Sequence, residues 1–220
     1  MKKIDAVIFD MDGVLIDSER ISFNCYQEIF KGYKYEIDEL FYLKIIGRNI
    51  IGIKKLMEDE YGEDFPFEEI YKKKSQLATE VTNKNGVIIK PGVHGIMDYL
   101  KKENYKIAVA TSTRRERALE LLEKAKIKEK VNFVVGGDEV EHSKPDPEIF
   151  LKASKGLNVE PENCMVIEDS DAGIIAAHAA KMTGIHVPDM KQLEGENRQL
   201  AFKVCKSLNE VMEYLKSIKS

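Results

Sequence analysis

From about residue 90 onward, short continuous apolar runs alternate with helical patterns, and this alternation restricts the fold more than any other feature. The runs are Lys106–Thr111, Asn132–Gly136 and Cys164–Glu168, with weaker candidates at Thr183–Val187 and Phe202–Cys205. Between them Val93, Ile96, Met97 and Leu100 share one helical face, as do Ala118, Leu121, Leu122 and Ala125. Further helices are expected from Pro147, Asp171 and Leu208. A strand that is apolar at every position is buried on both faces. Such strands separated by amphipathic helices predict an α/β fold: a doubly wound parallel sheet.

Ala6-Val7-Ile8-Phe9 is another run of this kind, yet the next strand follows only near residue 106. The stretch between reads as helices over Ile21–Phe30, Asp38–Ile46, Ile50–Tyr61 and Phe67–Asn83. A helical block inserted after the first strand is read as a cap over the carboxyl ends of the sheet, where open parallel sheets bind ligands. Asn85-Gly86 and Pro91-Gly92 are turn signals for the return. The expected organisation is a Rossmann-like core from residues 1–15 and 87–220, with an inserted α-helical cap domain from 16–86.

Composition excludes some functions. The chain has 220 residues, 43% of them hydrophobic, enough for one domain with an insert. Its net charge of −4 leaves no cationic surplus for general nucleic-acid binding. No segment has membrane-span length, and the residues before Asp10 are too short an apolar stretch for a signal peptide. Cys25, Cys164 and Cys205 lie far apart without zinc-site spacing, and an odd count argues against a disulfide framework. Reduced thiols point to a cytoplasmic protein.

The chemistry-bearing residues stand where the strands end. Asp10-Met11-Asp12-Gly13 follows the first strand. A carboxylate is a competent nucleophile toward phosphorus, and a second one two residues on can serve as general acid and base. Alone, the motif is equally a turn former. The second strand ends in Thr111-Ser112-Thr113, then Arg114. Hydroxyl and backbone N–H groups opening a helix can hold phosphate, although they also make ordinary caps. Arg114 at that helix start is a substrate contact or a surface residue. Ser143-Lys144-Pro145-Asp146-Pro147 holds a lysine between turn residues, either a fixed charge for phosphate or a solvated side chain. The strand at Cys164–Ile167 runs into Glu168-Asp169-Ser170-Asp171, which can complete a magnesium site or cap a helix. The ordered set of carboxylate pair, hydroxyl, lysine and carboxylate pair, each at a strand end, is what phosphoryl transfer needs in one cleft.

These stretches, above all Val7–Val14, Ser143–Pro147 and Ile167–Ser170, resemble the haloacid dehalogenase superfamily of phosphatases and phosphomutases. The resemblance covers the whole chain and is nearest to the branch of beta-phosphoglucomutase and sugar phosphatases with an α-helical cap. It implies Asp10 as nucleophile, Asp12 as general acid/base, Thr111 and the Ser112 backbone on the phosphoryl oxygens, and Lys144 bridging nucleophile and phosphoryl group. It implies magnesium held by the Asp10 carboxylate, the Asp12 carbonyl and Asp169, with Glu168 direct or through water. Mutases of this branch carry a histidine where this chain has Ser22, and a cap arginine where it has Ile50. A phosphatase of a small phosphorylated metabolite is therefore expected, with a phosphomutase as the alternative. Ser18, Glu19, Arg48, Asn49 and Lys74 are the candidate cap contacts, Lys74 being equally one of a solvated Lys72-Lys73-Lys74 run.

Overall fold

The computed structural model describes residues 3–46, 48 and 50–219. The chain divides into two compact units, Met1–Ile16 with Ile88–Ser220, and Asp17–Val87.

The first unit, the core, carries a six-stranded parallel sheet. Its strands are β1 (Ala6–Phe9), β2 (Lys106–Ala110), β3 (Phe133–Val135), β4 (Cys164–Glu168), β5 (Thr183–His186) and β6 (Lys203–Val204). The order across the sheet is β3-β2-β1-β4-β5-β6. β1 and β4 are buried at every position, as the unbroken apolar runs require. The expected strand at 202–205 shrinks to the two exposed residues of β6, because it is the sheet edge and has a neighbour on one side only. The core helices are α5 (Val93–Lys102), α6 (Arg115–Lys124), α7 (Glu148–Leu157), α8 (Asp171–Ala179) and α9 (Leu208–Lys219). Ile149, Phe150, Ala153 and Leu157 of α7 and Ala176 and Ala177 of α8 pack on Ala6, Ile8, Ala108 and Val166 of the sheet.

Chain order reverses at β1. From it the sheet grows to β2 and β3 on one side and to β4, β5 and β6 on the other. The carboxyl ends of β1 and β4 therefore flank a topological switch point, the place where an open α/β sheet forms a crevice.

Ile16 closes the first core segment by pairing antiparallel with Ile89, so the boundary falls one residue beyond the expected 16–86 at each end. The second unit, the cap, is helical: α1 (Ser18–Tyr33), α2 (Glu39–Ile45), α3 (Ile50–Tyr61) and α4 (Phe67–Asn85). Asp38 caps α2 by accepting a hydrogen bond from Phe41 N at 2.7 Å. Phe30 holds this unit together. Its fully buried ring packs edge-on against Tyr26, Tyr35, Tyr61 and Phe65, with centroids 5.4–6.1 Å apart. Cys25, Cys164 and Cys205 are separate, buried thiols, and no helix among the described residues is long and apolar enough to cross a membrane.

Candidate active site

In the core, four loops converge at the carboxyl ends of the strands. Asp10 follows β1 directly, and its backbone N–H still donates to Ile167 O at 2.9 Å, so the residue is placed by the sheet itself. Lys144 reaches it from the loop before α7. The Nζ atom donates to Asp10 Oδ1 at 2.6 Å, to Glu168 Oε1 at 2.7 Å and to Ala110 O at 3.3 Å. The lysine and Asp10 side chains are each 8% exposed and that of Glu168 1%. Lys144 is thus a buried bridging charge and not a solvated side chain. Its loop is tied down by Glu148 at the start of α7, whose carboxylate accepts from Glu141 N at 3.0 Å and His142 N at 2.9 Å.

Glu168 ends β4. Its Oε2 accepts from Asp169 N, Ser170 N and Ser170 Oγ, each at 2.9 Å. Ser170 Oγ in turn accepts from Gly173 N at 3.1 Å and caps α8. Three donors saturate Oε2. Glu168 therefore holds Lys144 with one oxygen and the β4–α8 turn with the other.

The charges do not balance locally. One lysine faces two buried carboxylates, with Asp169 alongside. Oxygen atoms of Asp10, Glu168 and Asp169 lie within 4.8 Å of one another. Burial pushes the Asp10 carboxyl up to about 8; Lys144 acts the other way, and the Glu168 and Asp12 charges reinforce burial. Burial alone would lower the Lys144 ammonium, but Asp10 and Glu168 outweigh it and raise it. An all-oxygen, net-negative cluster of this kind suits a hard divalent cation. Space is kept for Asp169 by Gly13. Its φ of +79° belongs to glycine, and a Cβ there would lie 2.1 Å from Asp169 Oδ2.

Asp12 is half-buried and its side chain is turned away from this cluster. Its Oδ2 accepts from Thr113 Oγ1 at 2.9 Å and from Thr111 Oγ1 at 3.1 Å. Thr111 is fully buried, and its hydroxyl oxygen also accepts from Thr113 N at 3.1 Å. Ser112 is exposed at the tip of this turn. Arg114 is 81% exposed at the start of α6 and pairs with Asp138 at 3.8 Å. The structure gives it a surface position.

The cap carries its own polar cavity, about 180 Å³, lined by Glu19, Ser22, Tyr26, Tyr42, Arg48, Tyr71 and Lys74 among others. Lys74 is not one of a solvated run. Lys72 is exposed, Lys73 pairs with Glu69 at 2.8 Å, and Lys74 turns inward. Its Nζ lies 4.9 Å from the Tyr26 ring centroid and 4.8 Å from that of Tyr71. Burial holds the Lys74 ammonium below its ordinary value, with Glu19 acting against. The buried Tyr26 hydroxyl has no hydrogen-bond partner among the described residues. The Tyr42 hydroxyl donates to Glu19 Oε2 at 2.6 Å, and Arg48 Nε donates to Lys44 O at 2.8 Å. Asn49 lies outside the described residues, and Ser18 does not line the cavity. Sequence reasoning missed the tyrosines. Their signal was helical spacing: 19, 22 and 26 share one face of α1, and 71 and 74 one face of α4.

The sheet order, the switch-point crevice and the Asp10–Lys144–Glu168 cluster together define a class, the α/β enzymes with a buried charged cluster at the carboxyl ends of the strands. Residues 7–187 match the haloacid dehalogenase-like hydrolase family, and the chain belongs to it. A phosphorylated carbohydrates phosphatase of Thermotoga maritima is 35% identical over 83% of this chain and 84% of that protein. The beta-phosphoglucomutase of Bacillus subtilis is 31% identical over 83% of this chain and 82% of its own. Among solved structures, a haloacid dehalogenase family hydrolase from Deinococcus radiodurans, with bound phosphate and sodium, superposes with a TM-score of 0.81. It is 25% identical and covers 97% of this chain and 96% of that one.

Proposed function

We propose that this protein is a magnesium-dependent phosphatase of a small phosphorylated metabolite, a sugar phosphate. The observation that carries the reading is Lys144, buried between Asp10 and Glu168 beside Asp169. Asp10 attacks phosphorus, the ester oxygen leaves, and an aspartyl-phosphate forms. Asp12 protonates the leaving oxygen and then takes a proton from the water that hydrolyses the intermediate. Lys144 keeps one Asp10 oxygen engaged and the other directed, and its charge offsets that of the phosphoryl oxygens. The Asp10 carboxylate, Asp169 and the Asp12 carbonyl would hold magnesium, with Glu168 acting through Lys144. Bound there, the cation supplies charge neutralisation for the phosphoryl oxygens.

Substrate selection is assigned to the cap cavity. Lys74 suits an anionic or strongly polar group, and Tyr26, Ser22 and Glu19 suit hydroxyls, which fits a phosphorylated polyol or sugar. The cytoplasm is the compartment in which such a substrate and three reduced thiols are found together.

The second reading, a phosphomutase, is supported by the Bacillus subtilis relative. A mutase must hold a second phosphate and keep water from the aspartyl-phosphate. Ser22 offers no imidazole in the cavity and Arg48 is turned to Lys44 O, so hydrolysis is favoured. A screen of sugar phosphates, nucleotides and small phosphorylated acids for inorganic phosphate release tests the proposal. Release at catalytic rates from at least one hexose or smaller monophosphate is expected. Isomerisation of glucose 1-phosphate with a bisphosphate primer, running much faster than phosphate release, would install the mutase instead.

A further inference from the structure

We infer that Thr113 is a positioning residue for Asp12, holding the acid/base in place at the moment Thr111 is called to the substrate. The inference rests on the phosphatase reading above and concerns a residue whose position alone suggests phosphate binding. Both threonine hydroxyls bond the same atom, Asp12 Oδ2, at 2.9 Å from Thr113 and 3.1 Å from Thr111. Among the described residues Oδ1 takes no hydrogen bond. Two donors on one oxygen fix the carboxyl plane and leave the other oxygen to carry the transferred proton.

A hydroxyl has a single proton to donate. Thr111 cannot give it to Asp12 and to a phosphoryl oxygen at once. When a phosphoryl group claims Thr111, Asp12 keeps one of its two donors, and that donor is Thr113. Thr113 is itself well anchored. Its N–H donates to Thr111 Oγ1 at 3.1 Å, and its carbonyl accepts from Gly137 N at 3.0 Å in the loop after β3. That loop approaches so closely that a Cβ on Gly137 would sit 2.2 Å from Ser112 O. Asp138 in the same loop accepts from Arg115 N at 2.7 Å. The turn carrying Thr113 is therefore clamped from the neighbouring strand end, independently of substrate. Thr113 thus acts through Asp12, and its loss should resemble a partial loss of general acid catalysis.

The test compares Thr113→Val and Thr113→Ser with wild type and Asp12→Ala. Single-turnover release of the leaving group is measured from 4-nitrophenyl phosphate, which needs little protonation, and from a sugar 6-phosphate, which needs it. Thr113→Val should slow the sugar phosphate about tenfold to a hundredfold, the scale of a hydrogen bond to a charged group, and 4-nitrophenyl phosphate less than about threefold. Asp12→Ala should show the same asymmetry more strongly, about 10²–10⁴-fold on the sugar phosphate. Thr113→Ser should restore most of the loss, since it keeps the hydroxyl. Should valine disturb the turn and lower the melting temperature, Thr113→Ala supplies the same comparison. Equal slowing of both substrates by a folded Thr113 variant, or none, beside an asymmetric Asp12→Ala, overturns the role of Thr113 alone. A symmetric Asp12→Ala overturns the acid/base reading and this inference with it.

Discussion

The polar cluster of the core and that of the cap differ in how their lysines are held. In the core, the chemical groups are bonded to one another: Lys144 to Asp10 and Glu168, Glu168 to the β4–α8 turn, Asp12 to two threonines. In the cap, Lys74 rests on tyrosine faces with no hydrogen bond or ion pair to another described residue, and the buried Tyr26 hydroxyl has no hydrogen-bond partner among the described residues. A bonded network fixes geometry before substrate arrives, which is what a reaction common to many substrates requires. Polar groups left unsatisfied in a pocket cost stability, and that cost is recovered only when a ligand satisfies them. The contrast agrees with the proposed function, in which the core does the chemistry and the cap cavity contributes to the choice of substrate.

The hardest blow to the core half of this contrast is Asp10→Asn. It keeps size and most hydrogen bonding but cannot form an acyl-phosphate. Steady-state turnover should fall by at least about 10⁴-fold, with an unchanged circular dichroism spectrum. Substantial activity in the folded variant would remove Asp10 as nucleophile.

Next comes Lys144→Ala, which strands two buried carboxylates. Beyond loss of activity, it should lower stability by about 3–5 kcal/mol, the scale seen when one partner of a buried pair is removed, measured by urea unfolding without added metal. A variant as stable as wild type would mean that the network does not order the core.

Metal dependence sharpens the same half. Chelation should abolish activity and magnesium restore it. Calcium should inhibit, because its larger and looser shell clamps a phosphoryl group poorly. Full turnover in excess chelator would contradict the net-negative cluster of Asp10, Glu168 and Asp169 as a cation site.

The smallest effect tests the cap. Lys74→Met preserves most of the side-chain volume and removes the charge. With the best substrate from the screen, KM should rise about tenfold, near 1.4 kcal/mol, while kcat for 4-nitrophenyl phosphate stays within about twofold. Equal losses on both substrates would erase the division of labour.

Much of this molecule was legible in order of difficulty. The buried strands at 6–9, 106–110 and 164–168 announce themselves, because burial on both faces admits only apolar residues. Asp10, Lys144 and Asp169 were legible because each follows such a strand or a turn. Partner choice was not. Nothing local tells Thr113 to face Asp12, since that bond depends on the side-by-side placement of β1 and β2. The inward turn of Lys74 was hidden for a similar reason. Three consecutive lysines read equally as a solvated run and, at Lys74, as a cap contact, and only the tyrosines of two different helices distinguish the third. Short edge strands such as β6 carry too little burial to leave a pattern.

The reversal of chain order at β1 also bears on how the molecule comes to be. The first strand made is central in the sheet, and Ala6 finds its register partners only at Lys106 and Cys164. Until the nascent chain has grown past β2, Val-Ile-Phe at 7–9 is an unpaired, sticky segment, and one of its edges stays open until β4 is made. Pairings this distant in sequence form slowly and leave apolar edges open to other chains meanwhile. The cap helices, whose contacts are local, can form while β1 waits. The same connectivity means that Asp10 and Lys144 meet only after the chain has grown past residue 144, and Glu168 joins them later still.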